Sequence, residues 1–254
     1  MEIKKLSWAS ILIKTNETTV LVDPLGGPIK GQDKPLAAKI GDPLEPLISL
    51  ETIEQPDVIL ITHVHPDHFD YQSVLQHFGE NVKIFVPMDS SDYVKKLGFR
   101  HVVGAQPNDE FETKDVKMIA SYSVDGFGSP QVSWIIKDEQ HTVLHCGDTQ
   151  WHGYWWRMEN QYGPIHAACL PVNGPILQVV GLKEQSQLPA CLTPEEAVEA
   201  TKIVGAKLIP IHYSTFNNPP YYSETENIEE RLIKRANLRG VEVTFLKTNE
   251  QIIM

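Results

Sequence analysis

The stretch THVHPDHFD, residues 62–70, sets three histidines and two aspartates within nine positions. Neutral imidazole nitrogens and carboxylate oxygens are ligands for zinc, manganese and iron. A structural zinc site draws more often on cysteine, and this stretch has none. The spacing His63-x-His65-x-Asp67-His68 therefore points to metal binding rather than to a chance group of exposed polar residues. Val64 and Pro66 restrict the backbone between the donors, and alternation turns His63 and His65 to the same side.

Two further places repeat one pattern, an apolar run that ends in a ligand-type residue. HCGDTQ (145–150) puts Asp148 in a Gly-flanked turn, and IPIHYS (209–214) puts His212 at the end of an apolar strand. Singly, the first reads as a turn residue and the second as a structural histidine. The repetition makes both candidate ligands.

Other groups carry two readings each. TQWHGYWW (149–156) is dense in aromatics. Trp151 and His152 would stack on a sugar or acyl group, or belong to a core patch or an oligomer interface. Tyr213, Tyr221 and Tyr222 would hydrogen-bond a substrate or cover an edge of the fold. His145 and His166 adjoin apolar runs and read as structural or as groups that support the ligands from behind. His77, His101 and His141 read as surface residues.

The elements that must position these groups are mostly short strands. SILIK (10–14), TVLVD (19–23), DVILIT (57–62), KIFVP (83–87), VSWIIK (132–137), HTVLHC (141–146), AACLP (167–171), KLIPIH (207–212) and VEVTFL (241–246) are rich in β-branched or apolar residues. DVILIT runs straight into His63, so the donor cluster lies where a buried strand leaves its sheet, a common place for catalytic groups. Asp70 predicts a helix start running to about Phe78, and Ser90 or Ser91 one that ends before Gly98. TPEEAVEATKIVGA (193–206) has a capping box, Thr193 with Glu196, and Pro194 at the first helical position. IEERLIKRAN (228–237) predicts a further helix before Gly240. The order predicts two packed mixed sheets with helices on the outer faces, an α+β fold in one domain spanning 1–254. Residues 24–56 hold six prolines and no convincing element. They read as a lid or site wall, or as a surface insertion.

The chain has 254 residues, 41% of them hydrophobic, and a formal net charge of −11. So acidic a chain is a poor nucleic-acid binder. The three cysteines, Cys146, Cys169 and Cys191, are odd in number and scattered, which fits a reducing, cytoplasmic setting. No apolar run is long enough to span a bilayer, and the start has no signal-peptide core. The expected partner is a small-molecule substrate, with neither nucleic acid nor membrane; a homo-oligomer is left open.

THVHPDHFD, then CGDT, then IPIH, in that order, resembles the metallo-β-lactamase superfamily. SWASILIKTNETTVLVDP is similar to the family's first hairpin and its Asp-Pro. LPVNGP (170–175) and LTPEEAVEATKIVGAKLIPIHYSTF (192–216) are similar to the branch containing L-ascorbate-6-phosphate lactonase. The resemblance implies an αββα sandwich with a two-metal site at one edge. His63 and His65 would hold the first metal; Asp67, His68 and His212 the second; Asp148 would bridge them. Asp67 and Asp148 would be the catalytic carboxylates. The implied activity is hydrolysis of a lactone, an ester or a phosphorylated sugar by a metal-activated hydroxide. One or two divalent ions, zinc or manganese with iron as the alternative, would be the cofactor.

The sequence departs from the family at one ligand. The first metal normally takes a third histidine, and VKMIASYSVDGFGSPQVSWII (116–136) has none. Either Asp125 replaces it or the first site is weak. The Gly- and Ser-rich run SYSVDGFGSP favours a mobile segment and an incomplete site. Two rivals follow: an iron-dependent redox enzyme of the same fold, and a non-catalytic metal-binding protein with a degenerate first site.

Overall fold

The apolar runs pair into two mixed sheets. The computed structural model describes residues 1–27, 40–181 and 183–254. Its strands are β1 (Glu2–Lys5), β2 (Ile11–Lys14), β3 (Thr19–Val22), β4 (Val58–Leu60), β5 (Lys83–Pro87), β6 (His101–Ala105), β7 (Glu110–Thr113), β8 (Val116–Tyr122), β9 (Val132–Lys137), β10 (Thr142–His145), β11 (Ala167–Pro171), β12 (Ile176–Leu177), β13 (Lys207–Ile211), β14 (Tyr222–Ser223) and β15 (Gln251–Ile253). The α-helices are α1 (Tyr71–Phe78), α2 (Ser91–Lys96), α3 (Trp155–Tyr162), α4 (Pro194–Val204) and α5 (Ile228–Arg239).

One sheet runs β15-β1-β2-β3-β4-β5-β6, and the other β13-β11-β10-β9-β8-β7; β12 and β14 form a small ribbon. Strands β3 to β6 are parallel, as are β10, β11 and β13, while the hairpins are antiparallel. Strand period decides which side chain meets which layer. Ile11, Ile13, Val20 and Val22 face Met118, Ala120, Trp134 and Ile136 between the sheets. The alternate residues Leu12, Leu21, Ile59 and Ile84 face outward onto Val74, Phe78 and Val94 of α1 and α2. On the opposite side Ile135, Leu144 and Ala168 meet Trp155, Met158, Ala197, Val198 and Leu232 of α3, α4 and α5. The expected two-sheet α+β sandwich with outer helices is what forms.

Caps fix the helix starts. The Asp70 carboxylate accepts from the Ser73 N–H at 3.1 Å, and α1 ends at Gly79. In α4 the Glu196 carboxylate accepts from the Thr193 N–H at 2.8 Å while Thr193 Oγ1 accepts from the Glu196 N–H at 3.3 Å, the predicted capping box.

Some expectations need correction. VEVTFL is not a strand; only Val243 bridges to Leu208. Leu208 donates to Glu242 O and accepts from the Thr244 N–H, both at 2.8 Å, but two residues on Pro210 has no N–H to continue that edge. The expected runs do not include strands β1, β6, β7, β8, β12, β14 and β15, nor α3, which begins inside the aromatic stretch and buries Trp155, Met158 and Tyr162 on one face. Within the 24–56 loop, residues 28–39 lie outside the described residues. Its described remainder holds a short 3-10 turn, Leu50–Thr52, and is tied down by Gly27 N–H to Ile48 O at 3.0 Å and Leu44 N–H to Thr215 O at 2.8 Å. Among the described residues no helix is long and apolar enough to cross a membrane.

Candidate metal centre

The candidate ligands come from turns at the ends of four strands. After β4 the chain makes a tight turn in which His68 and Phe69 donate to His65 O at 3.0 and 2.9 Å. After β10, Gly147 takes φ 60°, and a Cβ there would lie 2.5 Å from Thr62 Oγ1. Only glycine lets the two turns approach so closely, and Asp148 follows from it. After β13, His212 itself has φ 59°, and its N–H donates to Trp8 O at 3.2 Å. After β8, Asp125 heads a loop in which one of its oxygens accepts from the Phe127 and Ser129 N–H groups at 2.7 and 2.8 Å.

These turns gather two sets of donors. His63, His65, Asp125 and Asp148 each offer an atom within 4.8 Å of the others, and so do Asp67, His68 and His212. His63 Nε2 is 3.5 Å from Asp148, His65 Nδ1 3.8 Å from Asp125, and the Nε2 atoms of His68 and His212 each 3.6 Å from Asp67. Asp125 therefore lies with the first set, the place the alternative of a replaced histidine gives it.

The arrangement fits a divalent ion on its own evidence. Nε2 of His63, His68 and His212 and Oδ1 of Asp125 and Asp148 are buried with no hydrogen-bond partner. Orphaned buried polar atoms are costly and rare. Five converging at one place mark a site for something that accepts their lone pairs. The far nitrogen of each imidazole is occupied instead. His63 Nδ1 lies 3.1 Å from Thr62 Oγ1, His68 Nδ1 2.8 Å from Asp23, and His212 Nδ1 3.1 Å from Asn173 Oδ1. His65 is reversed: its Nε2 meets Ser129 Oγ at 2.9 Å and its Nδ1 faces the cluster. Such partners fix ring orientation and tautomer in metal sites.

Electrostatics follow from the crowding. Burial opposes ionisation of Asp67, but the His68, His212 and His63 imidazoles outweigh it and hold the carboxyl well below its usual range. Burial, helped by the carboxylates of Asp125, Asp67 and Asp23, pushes Asp148 up to about 7. Burial presses His63 well down and His212 down to about 4. His68 goes the other way, to about 9, because Asp67, Asp23 and Asp148 overcome its burial.

Four of the donors, His65, Asp67, Asp148 and His212, line a cavity of about 390 Å³ together with Ile40, Phe127, Leu177, Val179, Val180, Tyr221 and Tyr222. A model of the β-lactamase superfamily domain matches residues 18–213. The chain belongs to that superfamily. A UPF0173 metal-dependent hydrolase of Thermococcus kodakarensis is 27% identical over 99% of both chains. Igni18, a metallo hydrolase of Ignicoccus hospitalis, shares the fold with a TM-score of 0.73 at 18% identity, over 99% of this chain and 97% of that one. CmlA, a diiron β-hydroxylase of Streptomyces venezuelae, does so with a TM-score of 0.77 at 14% identity, over 100% of this chain and 54% of CmlA.

Three of the expected substrate contacts lie apart from this superfamily cavity. Tyr213 is buried beneath the Lys5 ammonium, 4.5 Å from its ring centre. His152 is buried and stacks on Trp155 at 4.1 Å. Trp151 packs beside Trp155 and Trp156. None of them lines the cavity. His145 is structural as expected, its Nε2 2.8 Å from Ala9 O. Sequence reasoning passed over Thr62, Asn173, Ser129, Trp8 and Cys191. It treated Asp23 only as part of a hairpin motif. Asp23 and Asn173 carried a signal, since VLVDP and LPVNGP both end strands with a polar residue beside proline or glycine; the others carried none.

Proposed function

We propose that the chain is a metal-dependent hydrolase of a compact lactone or ester. The observation that carries the reading is the convergence of five orphaned, buried donor atoms, two of whose residues, Asp148 and His212, open onto the cavity. Bound there, a divalent ion supplies Lewis acidity and a water of lowered pKa.

The chain's own residues provide the rest. Asp67, kept ionised by the imidazoles, accepts from Trp8 Nε1 at 3.2 Å and presents its remaining lone pairs to the cavity as a proton acceptor. Asp148 touches both donor sets, lying near His63 on one side and grouped with His212 on the other. Phe127, Leu177, Val179 and Val180 give the cavity apolar walls that suit an acyl portion. No lysine or arginine is among the described lining residues. That favours a neutral lactone or ester over the phosphorylated sugar that resemblance to the lactonase branch suggests.

Asp125 favours a second reading. With two histidines and two carboxylates the first set is oxygen-rich, which suits manganese or iron better than zinc. An iron-dependent oxidation, the class to which CmlA's name belongs, is the rival.

Protein purified without chelator, analysed for metals and assayed on lactones, esters, thioesters and phosphorylated sugars, separates these readings. Hydrolysis of a lactone or ester, lost with the metal in His212→Ala, supports the first. Bound iron with substrate-dependent oxygen uptake and no hydrolysis overturns it.

A further inference from the structure

The family resemblance assigns no metal ligand between the Gly-Asp-Thr turn and His212, yet a third group of ligand-type atoms draws on a residue from that stretch. Asp148, Cys191 and His212 offer atoms within 4.8 Å of one another. Cys191 belongs to a segment tied down on both sides. Ala190 N–H donates to Pro175 O at 2.9 Å, Leu192 N–H to Thr149 O at 2.9 Å, and Gly174 N–H to Leu192 O at 3.0 Å. Leu192 is buried in the apolar layer beneath α4. Its neighbour Cys191 lines the cavity instead.

The cysteine does not stand alone. His212, 2% exposed, aims an unpartnered Nε2 into the same space, and so does Asp148 with Oδ1. The other two cysteines differ. Cys146 and Cys169 are fully buried in the apolar layers, remote from any such group of donors.

We propose that Cys191 supplies a thiolate to the second metal, on the side of that site formed by Asp148 and His212. This rests on the metal-centre reading above. Coordination replaces the S–H bond by a sulfur–metal bond and releases one proton to solvent; no electron is transferred. A soft sulfur donor added to this set tilts it toward zinc or iron and away from manganese. The two sites thereby differ: the first, with Asp125, is harder, and the second, with Cys191, is softer.

Metal-free full-length protein titrated with cobalt(II) tests this without any substrate. Wild type is expected to develop a thiolate-to-cobalt charge-transfer band in the near ultraviolet, absent from Cys191→Ser, while the visible ligand-field bands remain. The zinc-over-manganese preference of the second site should fall by at least about tenfold in the variant, the lower end of what partners of metal ligands contribute. Should Cys191→Ser not fold, the presence or absence of the band in wild type decides, since Cys146 and Cys169 lie outside the donor groups. Identical cobalt spectra in the two proteins, or no such band in wild type with two ions bound, overturn the thiolate and leave the metal centre intact. Failure to bind cobalt at all removes both.

Discussion

Replacing Asp23 by asparagine asks whether groups behind the histidines set the metal centre. Asp23 is fully buried, and its two oxygens accept from the Thr62 N–H at 2.7 Å, the Thr62 hydroxyl at 2.6 Å and His68 Nδ1 at 2.8 Å. The amide keeps the volume and one acceptor, but it turns an N–H toward two donors and removes the negative charge. Breaking a buried pair from one side costs about 3–5 kcal/mol. The rise of His68 from 6.5 to about 9, against its own burial, gives a second figure. At about 1.4 kcal/mol per tenfold step it corresponds to about 3 kcal/mol, shared among Asp67, Asp23 and Asp148. The metal-free variant should therefore unfold roughly 6–12 °C lower than wild type, taking about 3 kcal/mol and a domain of this size. The sign with pH follows from the direction of the shift. A raised histidine pKa stabilises fully below the unfolded value of 6.5 and is lost as pH rises through about 9. The gap between the two proteins should narrow across that window. Zinc affinity, measured by competition with a chelator, should fall about 10–100-fold. Equal unfolding midpoints and equal zinc affinity would refute the reasoning and leave Asp23 a turn residue.

Asp125→Ala should lower tightly bound manganese from two equivalents to one by equilibrium titration; an unchanged count removes Asp125 from the first set. Asp148→Asn should cut turnover by at least about 100-fold, the upper end of what outer partners cost, and lower the metal count, since it touches both sets; wild-type turnover with two metals would make it a turn residue only. Burial, against the pull of Glu45, Glu229 and Glu250, holds Lys5 down at about 8, so between that pH and 10.5 the unfolded chain binds more protons and stability rises with pH. Wild type should gain about 3 kcal/mol over Lys5→Met across that window in denaturant titrations, and parallel profiles would refute the assignment. Gly147→Ala forces a side chain into φ 60° against Thr62, and should cost at least about 1–3 kcal/mol in thermal unfolding; an unchanged midpoint would show that the turn can relax.

Much of the fold was legible because strand period and apolar runs carry it. TVLVD, DVILIT and KIFVP became adjacent parallel strands because each is long enough to bury both faces of a central position. What escaped was decided by neighbours. EIKK of β1 is too polar to announce a strand, and forms one because β2 and β15 supply partners on both sides. VEVTFL reads more strongly than either, and fails because the edge it meets carries Pro210. Pattern sets what a segment prefers, and the available edge decides whether it pairs.

The donors were legible for a similar reason, and their aim was not. Residue type and spacing bring out His63, His65, Asp67 and His68, but the groups that turn the rings inward lie far away in sequence. Asp23 is 45 residues from His68, and Asn173 is 39 from His212. Asp125 is the sharpest case. Its Gly- and Ser-rich surroundings favour mobility on composition, yet the loop is fixed by its own carboxylate, which accepts two backbone N–H groups. A Cβ on Gly126 would lie 2.5 Å from Ala190 O. Glycine is there because the loop packs against the segment that carries Cys191, not because it moves. Composition alone cannot separate a glycine that frees the chain from one that lets two backbones touch, and here that difference decides whether the first set of donors has a fourth member.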